Sequence, residues 1–471
     1  MKVLLVKPRP DAVQFGLAPF FQTEPLGLEY IAAELEHRQH SVATVDLRFE
    51  KQRFESILRR QRPAVVGIAC LHILDAPATL RLAGEIKAVD PSVFVAVGGH
   101  AASSYSQALS ESRSIDAICI GEGERAMPAL VDALEWRQPV AEVPSLLLRT
   151  EAGAFEPTAP AQGFLDLAAV RLPDRRQVAP YQRHYCCLNY MPVWTLETTR
   201  GCPHRCKFCS VWQFYRGSCR FHAPGSVRAD FEAAGHNVFV IDDIFWAEHA
   251  QSEELVSALL KSPERKNWML AQSRVDLVAE NPGLLERWRP LAKNFDIFFG
   301  FESPSGAGLD RLNKGTDVAK TIAAIRTARE LGFGVTGNFI IDPDFSEDEF
   351  AALWDFLDAH QLNRVGFTIL TPLPGTYFFE KVKDQLLVFD WSQYDLHHLL
   401  WRPRLSPERF FELYCETWRR SVLNLAGKKK LGKWLSEVRP LQIPRLARIL
   451  WRTQKLMQPK AYLAESRIPT A

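Results

Sequence analysis

The chain has 471 residues, of which 47% are hydrophobic and 24% are charged, a composition typical of a globular protein with two or three domains. Nine cysteines in this length are too few, and odd in number, for a disulfide-rich secreted scaffold. The first residues, MKVLLVK, predict a β-strand rather than a signal peptide, and no run of eighteen apolar residues predicts a membrane span. We therefore expect a cytoplasmic protein.

The charge is distributed unevenly along the chain. The formal net charge is only +2, but residues 401–471 carry sixteen Lys and Arg against five Asp and Glu, a net charge of +11. The first 400 residues carry a net charge of −9. This asymmetry indicates that the C-terminal region faces an anionic partner.

Residues 1–150 alternate short apolar strands with helical patterns. Such alternation predicts an α/β domain with a parallel, doubly wound, Rossmann-like (flavodoxin-like) sheet. Strands are predicted at Val3–Val6, Val42–Leu47, Val65–Ala69, Phe94–Val97 and Ala117–Ile120, and helices at Pro25–His37, Phe54–Leu58 and Leu80–Ile86.

Two glycine-containing turns follow neighbouring strands of this sheet, Gly98-Gly99-His100 and Gly121-Glu122-Gly123. Ligands of doubly wound sheets bind at the carboxyl ends of the strands, and glycine lets the backbone approach a ligand closely. Each turn alone is equally consistent with a simple tight connection. The two together favour a ligand cleft at this edge.

Residues 151–190 are rich in Pro and Arg and are interpreted as a linker to a second α/β series. The second series has the pattern of an open, partial (β/α)6 barrel over residues 191–385, with helices clearest at Val318–Leu331 and Glu347–His360. Its six strands are predicted at Val193–Thr198, Val238–Asp242, Trp268–Gln272, Asp296–Phe301, Val335–Ile341 and Val365–Leu370.

Three cysteines directly follow the first predicted barrel strand, in the spacing C-x-x-x-C-x-x-C: Cys202, Cys206 and Cys209. Thiolates at this spacing are ligands or redox groups rather than inert core. A structural zinc ion normally needs a fourth ligand, which is not obvious nearby, and a redox disulfide is a further alternative. Three thiolates on one short loop fit an iron–sulfur cluster with one iron left without a protein ligand.

The cysteine spacing, after the first strand of a partial barrel, resembles the radical S-adenosylmethionine (SAM) enzymes. Further segments agree: FFGFES, VTGNFII, TPLPGT and the paired aspartates after the second strand. The resemblance implies that the three cysteines bind a 4Fe–4S cluster. It also implies that six residues contact SAM, namely Phe208, Asp242, Asp243, Glu302, Asn338 and Pro372.

The first domain resembles the cobalamin-binding domain of the cobalamin-dependent (class B) radical SAM methyltransferases, through PLGLEYIAAEL, VAVGGHAAS and ICIGEGERAMPAL. The resemblance implies that six residues bind cobalamin: Gly98, Gly99, His100, Gly121, Glu122 and Gly123. The pattern D-x-H-x-x-G is missing, since its nearest approach, Asp11–Gly16, has Val13 in place of histidine. We therefore expect no bond from histidine to cobalt. The alternative is a domain that binds nothing or another nucleotide.

The resemblance implies methylation of an unactivated carbon, with an external one-electron donor. Within the family, the segments VTGNFIIDPDF, YDLHHLLW and FFELYCETWRRSVLNL are most similar to the hopanoid C-3 methylases, which implies a hydrophobic, triterpenoid substrate. Two alternatives stay open. The same cofactors can serve oxidation or ring formation without methyl transfer, or the chain is a non-catalytic cobalamin-binding sensor.

Residues 386–471 are predicted as a basic helical region. Helices that place Trp, Leu and Phe on one face and Arg and Lys on the other can lie in a membrane interface. We expect a cytoplasmic enzyme whose basic helices contact the inner face of the membrane, with a helical cap on the barrel as the alternative. Nucleic acid is not expected, because no RRM or OB-fold is visible.

Overall fold

The computed structural model describes residues 1–11, 15, 21–423, 447, 451 and 453–468. The chain divides into two compact units. The first unit comprises Met1–Ala12, Thr23–Tyr185 and Arg220–Ser226, and the second comprises Val13–Gln22, Cys186–Cys219 and Val227–Ala471.

The secondary structure alternates as the sequence predicts. The strands, numbered in chain order, are β1 (Lys2–Lys7), β2 (Phe21–Gln22), β3 (Ser41–Asp46), β4 (Val65–Ala69), β5 (Phe94–Gly98), β6 (Ala117–Cys119), β7 (Leu146–Arg149), β8 (Phe155–Pro157), β9 (Cys186–Cys187), β10 (Trp194–Leu196), β11 (Thr199–Arg200), β12 (Arg220–Phe221), β13 (Asn237–Val240), β14 (Lys266–Ser273), β15 (Ala292–Glu302), β16 (Gly334–Ile341) and β17 (Val365–Ile369). The described α-helices are α1 (Leu26–His37), α2 (Phe54–Gln61), α3 (Ala76–Val89), α4 (His100–Ser104), α5 (Gln107–Ser110), α6 (Gly123–Glu135), α7 (Val211–Phe214), α8 (Pro224–Ala233), α9 (His249–Leu259), α10 (Val275–Glu280), α11 (Pro282–Trp288), α12 (Gly306–Arg311), α13 (Val318–Glu330), α14 (Glu347–Ala359), α15 (Tyr377–Val382), α16 (Pro407–Leu423) and α17 (Pro459–Glu465).

The first unit is built on a seven-stranded sheet in the order β3-β1-β4-β5-β6-β7-β8. The strands from β3 to β6 are parallel, in the flavodoxin-like order, which confirms the predicted doubly wound fold. The order of strands reverses between β1 and β4, and ligands bind outside the carboxyl ends at such a switch point. Two antiparallel strands, β7 and β8, extend the sheet beyond the predicted set.

The segment interpreted as a linker carries structure of its own. Strand β8 closes a hairpin with β7, and a 3₁₀ stretch over Arg175–His184 follows. This stretch is tied to the first unit by side-chain contacts: Arg175 forms an ion pair with Glu24 at 2.5 Å, and the Tyr185 hydroxyl donates to Asp46 at 3.2 Å. Residues up to Tyr185 therefore pack as part of the first unit.

The second unit is built on a six-stranded sheet in the order β10-β13-β14-β15-β16-β17, and every neighbouring pair is parallel. Consecutive parallel strands joined by helices are the arrangement of an open (β/α) barrel, as predicted. The helices begin where the sequence supplies caps. The Asp317 side chain accepts from the backbone of Lys320 at the start of α13, and Ser346 and Glu349 form a capping box at the start of α14.

The free edge of β17 is covered by the residues that follow the barrel. The amide of Ile369 donates to the carbonyl of Leu396 at 2.7 Å. The Tyr414 hydroxyl donates to the carbonyl of Phe367 at 2.9 Å, and the Ser421 hydroxyl to that of Val365 at 3.1 Å. These contacts satisfy backbone groups that an exposed edge strand would leave unpaired. Helix α16 is therefore a cap on the barrel.

The C-terminal helix α17 packs on the same cap. The ring of Tyr462 stacks on Phe411 of α16, with centroids 4.9 Å apart, and on Phe15 at 4.1 Å. The most basic part of the predicted membrane-binding region, residues 424–446, lies outside the described residues. Among the described helices, none combines the length and the apolar character that a membrane span requires.

Candidate active site

The three cysteines lie on a loop between β11 and α7 that other loops hold in place. The amide of Lys207 donates to the carbonyl of Leu312, and the amide of Phe378 donates to the carbonyl of Lys207, both at 3.0 Å. The Asn313 side chain donates to the carbonyl of Arg205 at 2.7 Å. The loop is therefore fixed by the segment that follows α12 and by the first turn of α15.

Cys206 is further held by its own loop, because the Trp212 indole donates to the Cys206 carbonyl at 2.9 Å. Cys202 and Cys209 are half-buried and Cys206 is buried. Burial, together with the neighbouring Cys206 and Cys202, raises the pKa of the Cys209 thiol to about 12, while the hydrogen bond from the backbone amide of Val211 opposes this shift. The three thiols thus lie on one partly buried loop, where bound iron would hold them as thiolates.

The spacing of these thiols suits a cluster better than one ion. Within the described part of the chain, no group of three His, Cys, Asp or Glu side chains could hold a single metal ion. A 4Fe–4S cluster places its three thiolates on three different irons, so they need not meet at one point. Three thiols on one loop are the donor set that such a cluster takes, and their assignment as its ligands stays a prediction.

The paired aspartates after β13 have different environments. Asp242 is fully buried and accepts hydrogen bonds from the backbone amide and the hydroxyl of Thr198, at the carboxyl end of β10. Burial raises the pKa of Asp242 to about 7, while the hydrogen bonds from Thr198 lower it. Asp243 is exposed and accepts from the amide of Gly201 at 2.8 Å, beside the cysteine loop. Their contact with SAM stays a prediction.

Glu302 ends β15 in a conformation that a non-glycine residue seldom adopts, with φ of 59° next to a register shift in the pairing with β16. Its buried carboxylate accepts from Lys314 Nζ at 2.6 Å. A β-carbon on Gly300 would lie 2.4 Å from Glu302 Oε1 and 2.7 Å from Lys314 Nζ. Glycine at this position therefore leaves the room that the ion pair occupies.

Asn338 lies on β16 between two glycines in register, Gly300 on one side and Gly366 on the other. Its amide nitrogen donates to Thr368 Oγ1 at 2.8 Å. Pro372 is buried just after β17, and Phe208 is half-buried between the last two cysteines. Glu302 thus ends β15 and Pro372 follows the end of β17, whereas Asn338 lies within β16, next to the residue that pairs with Glu302.

Sequence reasoning missed two buried cations at this end of the barrel, Lys314 and Arg274. Arg274 directly follows β14 and pairs with Asp276, with Nε 2.9 Å from Oδ1. The available signal was an arginine at the carboxyl end of a barrel strand, where functional residues of such folds concentrate.

In the first unit, the turn after β5 fits close against the neighbouring strand end. Gly99 has φ of 123°, and a β-carbon there would lie 2.5 Å from the carbonyl oxygen of Cys70. His100 begins α4, and burial, together with the nearby His72, lowers the pKa of its imidazole to about 4. The imidazole is therefore neutral at pH 7.

The two glycines of the turn after β6 have different surroundings: Gly121 faces open space, and Gly123 is packed against a side chain. A β-carbon on Gly121 would meet nothing within 4 Å, whereas one on Gly123 would lie 2.7 Å from Ile31. The Glu122 carboxylate accepts from Arg220 at 2.9 Å and from the amide of Leu165 at 2.9 Å. These contacts give Glu122 a role in holding its own unit together. Its contact with cobalamin stays a prediction.

The switch point between β1 and β4 holds a polar pair that sequence reasoning also missed. Lys7 Nζ donates to Asp75 at 2.9 Å, and the same carboxylate accepts from the amides of Leu71 and His72. The loop after β4 thereby presents Leu71, whose side chain is 49% exposed. Val13, where the missing histidine of D-x-H-x-x-G would stand, lies outside the described residues.

Two protein families match the chain in sequence. The B12 binding domain matches residues 17–131, and the radical SAM superfamily matches residues 196–357. Along its full length, the chain is 29% identical to the hopanoid C-3 methylase of Methylococcus capsulatus, and the match covers 90% of that protein.

Two solved structures share the fold. One is OxsB, a cobalamin-dependent SAM radical enzyme solved with aqua-cobalamin and SAM, at a TM-score of 0.73 and 17% identity over 97% of this chain and 71% of that chain. The other is TsrM of Kitasatospora setae, a radical SAM methyltransferase solved with cobalamin and a 4Fe–4S cluster, at a TM-score of 0.71 and 17% identity over 89% and 88% of the two chains.

The fold and the family matches agree with one another. A doubly wound domain precedes an open barrel with the cysteine loop at its carboxyl face, and the two family matches follow in the same order. Together with the full-length methylase relative, they describe a radical SAM enzyme with a B12 binding domain that is similar to the cobalamin-dependent radical SAM methyltransferases, with a 4Fe–4S cluster, SAM and cobalamin as its cofactors.

Proposed function

We propose that the enzyme methylates an unactivated carbon of a hydrophobic triterpenoid, at C-3 of a hopanoid. The observation that carries this substrate is the likeness to a hopanoid C-3 methylase along the whole chain, including the segments outside the two family matches. The segment YDLHHLLW is one of these, and it lies along the free edge of β17 through Leu396.

We assign Cys202, Cys206 and Cys209 as the ligands of the cluster. When bound, the cluster and SAM supply a 5′-deoxyadenosyl radical, and methylated cobalamin supplies a transferable methyl group. The chain's own residues bind and orient these groups. Lys314 orients the Glu302 carboxylate, and Thr368 orients the Asn338 side chain. Hydrogen bonds from Asn313 and Trp212 hold the cysteine loop in place.

We assign the cobalamin to the carboxyl edge of the first sheet. The glycines at positions 98, 99, 121 and 123 and their neighbours His100 and Glu122 form the two turns there. The turn at Gly121 supports this assignment, because a β-carbon there would meet nothing within 4 Å and a flat ligand could approach the backbone closely.

The protein's basic C-terminal region is proposed to contact anionic lipid, from which an oily substrate is reached. The net charge of +11 over residues 401–471 supports this contact. Co-sedimentation with vesicles of phosphatidylglycerol, but not of phosphatidylcholine, is the expected result. A protein that sediments with neither lipid, or equally with both, would contradict the proposed contact with anionic lipid.

The test of the proposed activity uses protein reconstituted with iron, sulfide and hydroxocobalamin, a strong one-electron reductant, SAM and diploptene. The expected products are a methylated triterpenoid, 5′-deoxyadenosine and S-adenosylhomocysteine. Formation of 5′-deoxyadenosine without a methylated triterpenoid would discard this substrate. An oxidised or cyclised product without a new methyl group would replace methyl transfer by the alternative chemistry.

A further inference from the structure

Two buried cations stand beside the loop that carries Cys206. Arg274 directly follows β14, and Lys314 lies three residues after the end of α12. Both side chains are less than a tenth exposed. Burying a cation is costly unless negative charge lies close to it. Two buried cations therefore indicate that negatively charged groups lie around them.

The cations and the cysteine loop form one connected structure. Arg274 Nη2 donates to the carbonyl of Lys314 at 2.7 Å. The two residues before Lys314 hold the loop, because Leu312 accepts from the amide of Lys207 at 3.0 Å and Asn313 donates to Arg205 at 2.7 Å. A change in the position of either cation would therefore reach the cysteine loop directly.

Each cation has a carboxylate partner, but Arg274 is not fully satisfied by its own. Arg274 pairs with Asp276, and Lys314 with Glu302. In addition, Arg274 Nη1 is buried without a hydrogen-bond partner among the described residues. The pair is thus placed to stabilise more negative charge than the free protein supplies.

We propose that Arg274 and Lys314 are positioning residues that stabilise the reduced form of the cluster held by the three cysteines and raise its midpoint potential. The inference rests on the cluster assignment made under the proposed function. Reduction adds one electron from a low-potential reductant; no bond is formed or broken and no proton is needed. A cluster with three thiolate ligands then carries one more unit of negative charge, and nearby buried cations offset that charge.

The test is a redox titration of the cluster, followed by electron paramagnetic resonance, with dithionite as reductant and without SAM or substrate. Lys314→Met and Arg274→Gln are compared with the reconstituted wild type. The control is Lys293→Met, which removes the same charge from an exposed position. Lys293 lies at the opposite end of β15 from Glu302, a separation of about 30 Å. Both test variants should lower the reduced-to-oxidised ratio about tenfold at a fixed potential, a shift of about 59 mV for one electron, and the control should not.

Equal potentials in the wild type, the control and both test variants, with full iron and sulfide content, would overturn the inference. If a test variant assembles no cluster, Glu302→Gln is measured in its place. This substitution removes the opposing negative charge and should raise the midpoint potential of the cluster. An unchanged or lowered midpoint potential in Glu302→Gln would also overturn the inference. Arg274→Lys should restore the potential that Arg274→Gln loses. If the wild type itself binds no cluster, the proposed function fails instead, and the iron content distinguishes the two failures.

Discussion

Lys314 Nζ lies 2.6 Å from Glu302 Oε1, and the two side chains meet in the space left by Gly300. Glu302 is thereby held at the carboxyl end of β15 in a backbone conformation with positive φ. An unpaired carboxylate in this buried position would be costly, so the lysine fixes both the charge and the direction of the side chain. The relationship makes Gly300 as important for the site as the charged residues themselves.

Substitution of Gly300 by alanine should damage the site more than the fold. The new β-carbon would overlap the ends of two flexible side chains, Glu302 and Lys314, and not backbone. The pair can move away, so we expect a loss of unfolding free energy of no more than about 1–2 kcal/mol. The KM for SAM in 5′-deoxyadenosine formation should rise at least tenfold.

The matched control for this prediction is Gly283→Ala, because a β-carbon there would meet nothing within 4 Å. It should leave the KM for SAM unchanged. A wild-type KM in the Gly300→Ala enzyme would show that the position of Glu302 has no influence on SAM binding.

Two glycines of the first unit should respond differently to alanine. Gly99 and Gly121 both have positive φ, which costs alanine about 1–3 kcal/mol at either position. Only at Gly99 would the β-carbon also overlap a backbone atom, the carbonyl oxygen of Cys70 at 2.5 Å. We expect Gly99→Ala to be the less stable variant in urea and to lose cobalamin on desalting, as followed by absorbance. Equal stability of the two variants would contradict the close fit at Gly99.

The buried carboxyl of Asp242 should make stability depend on pH. Its pKa is raised to about 7 by burial, above the ordinary value of 3.8 in the unfolded chain. Between these values the folded protein retains a proton that the unfolded chain releases, so this contribution to stability falls as the pH rises from about 4 to about 7. At about 1.4 kcal/mol per pKa unit, the loss is about 4 kcal/mol.

Asp242→Asn should therefore gain stability relative to the wild type as the pH is raised from 5 to 8, measured by urea unfolding. The control is Asp348→Asn, which removes a carboxylate from an exposed position on α14. A constant difference between Asp242→Asn and the wild type over this range would show that Asp242 titrates as it does in water.

The hydroxyl of Tyr414 should stabilise the capped edge of β17. It donates to the carbonyl of Phe367 and lies 2.9 Å from His397 Nδ1, and all of these groups are buried. Tyr414→Phe would leave both partners unsatisfied, at a cost of about 1–3 kcal/mol in unfolding free energy. The exposed Tyr377 provides the control, since Tyr377→Phe should change the unfolding free energy by less than about 0.5 kcal/mol. Equal losses in the two variants would remove the edge-capping role.

Local pattern was enough to predict the architecture and the cysteine loop. The alternation of strands and helices, and the spacing of Cys202, Cys206 and Cys209, are properties of short stretches of sequence. Strand β8 was missed because its residues were included with a Pro- and Arg-rich segment, and β7, at the end of residues 1–150, was not predicted, although Gly153 lies in the turn between them.

The partners of the site residues could not be predicted, because they depend on the register of the sheets. Nothing in the sequence indicates that Lys314 pairs with Glu302, twelve residues earlier, or that Gly300 and Gly366 flank Asn338. The same holds for Glu122, which meets Arg220 far along the chain. Contacts between distant segments decide which carboxylates are engaged by the protein and which can face a ligand.

The central claim is radical methyl transfer, and labelled SAM tests it most directly. The reconstituted enzyme is incubated with diploptene and SAM bearing a trideuterated methyl group, and the products are counted by mass spectrometry. We predict one labelled methyl group in the triterpenoid for each 5′-deoxyadenosine and each S-adenosylhomocysteine, and no product from a protein in which Cys206 is replaced by alanine. A triterpenoid that gains the label without formation of 5′-deoxyadenosine, or from the Cys206→Ala protein, would contradict the account.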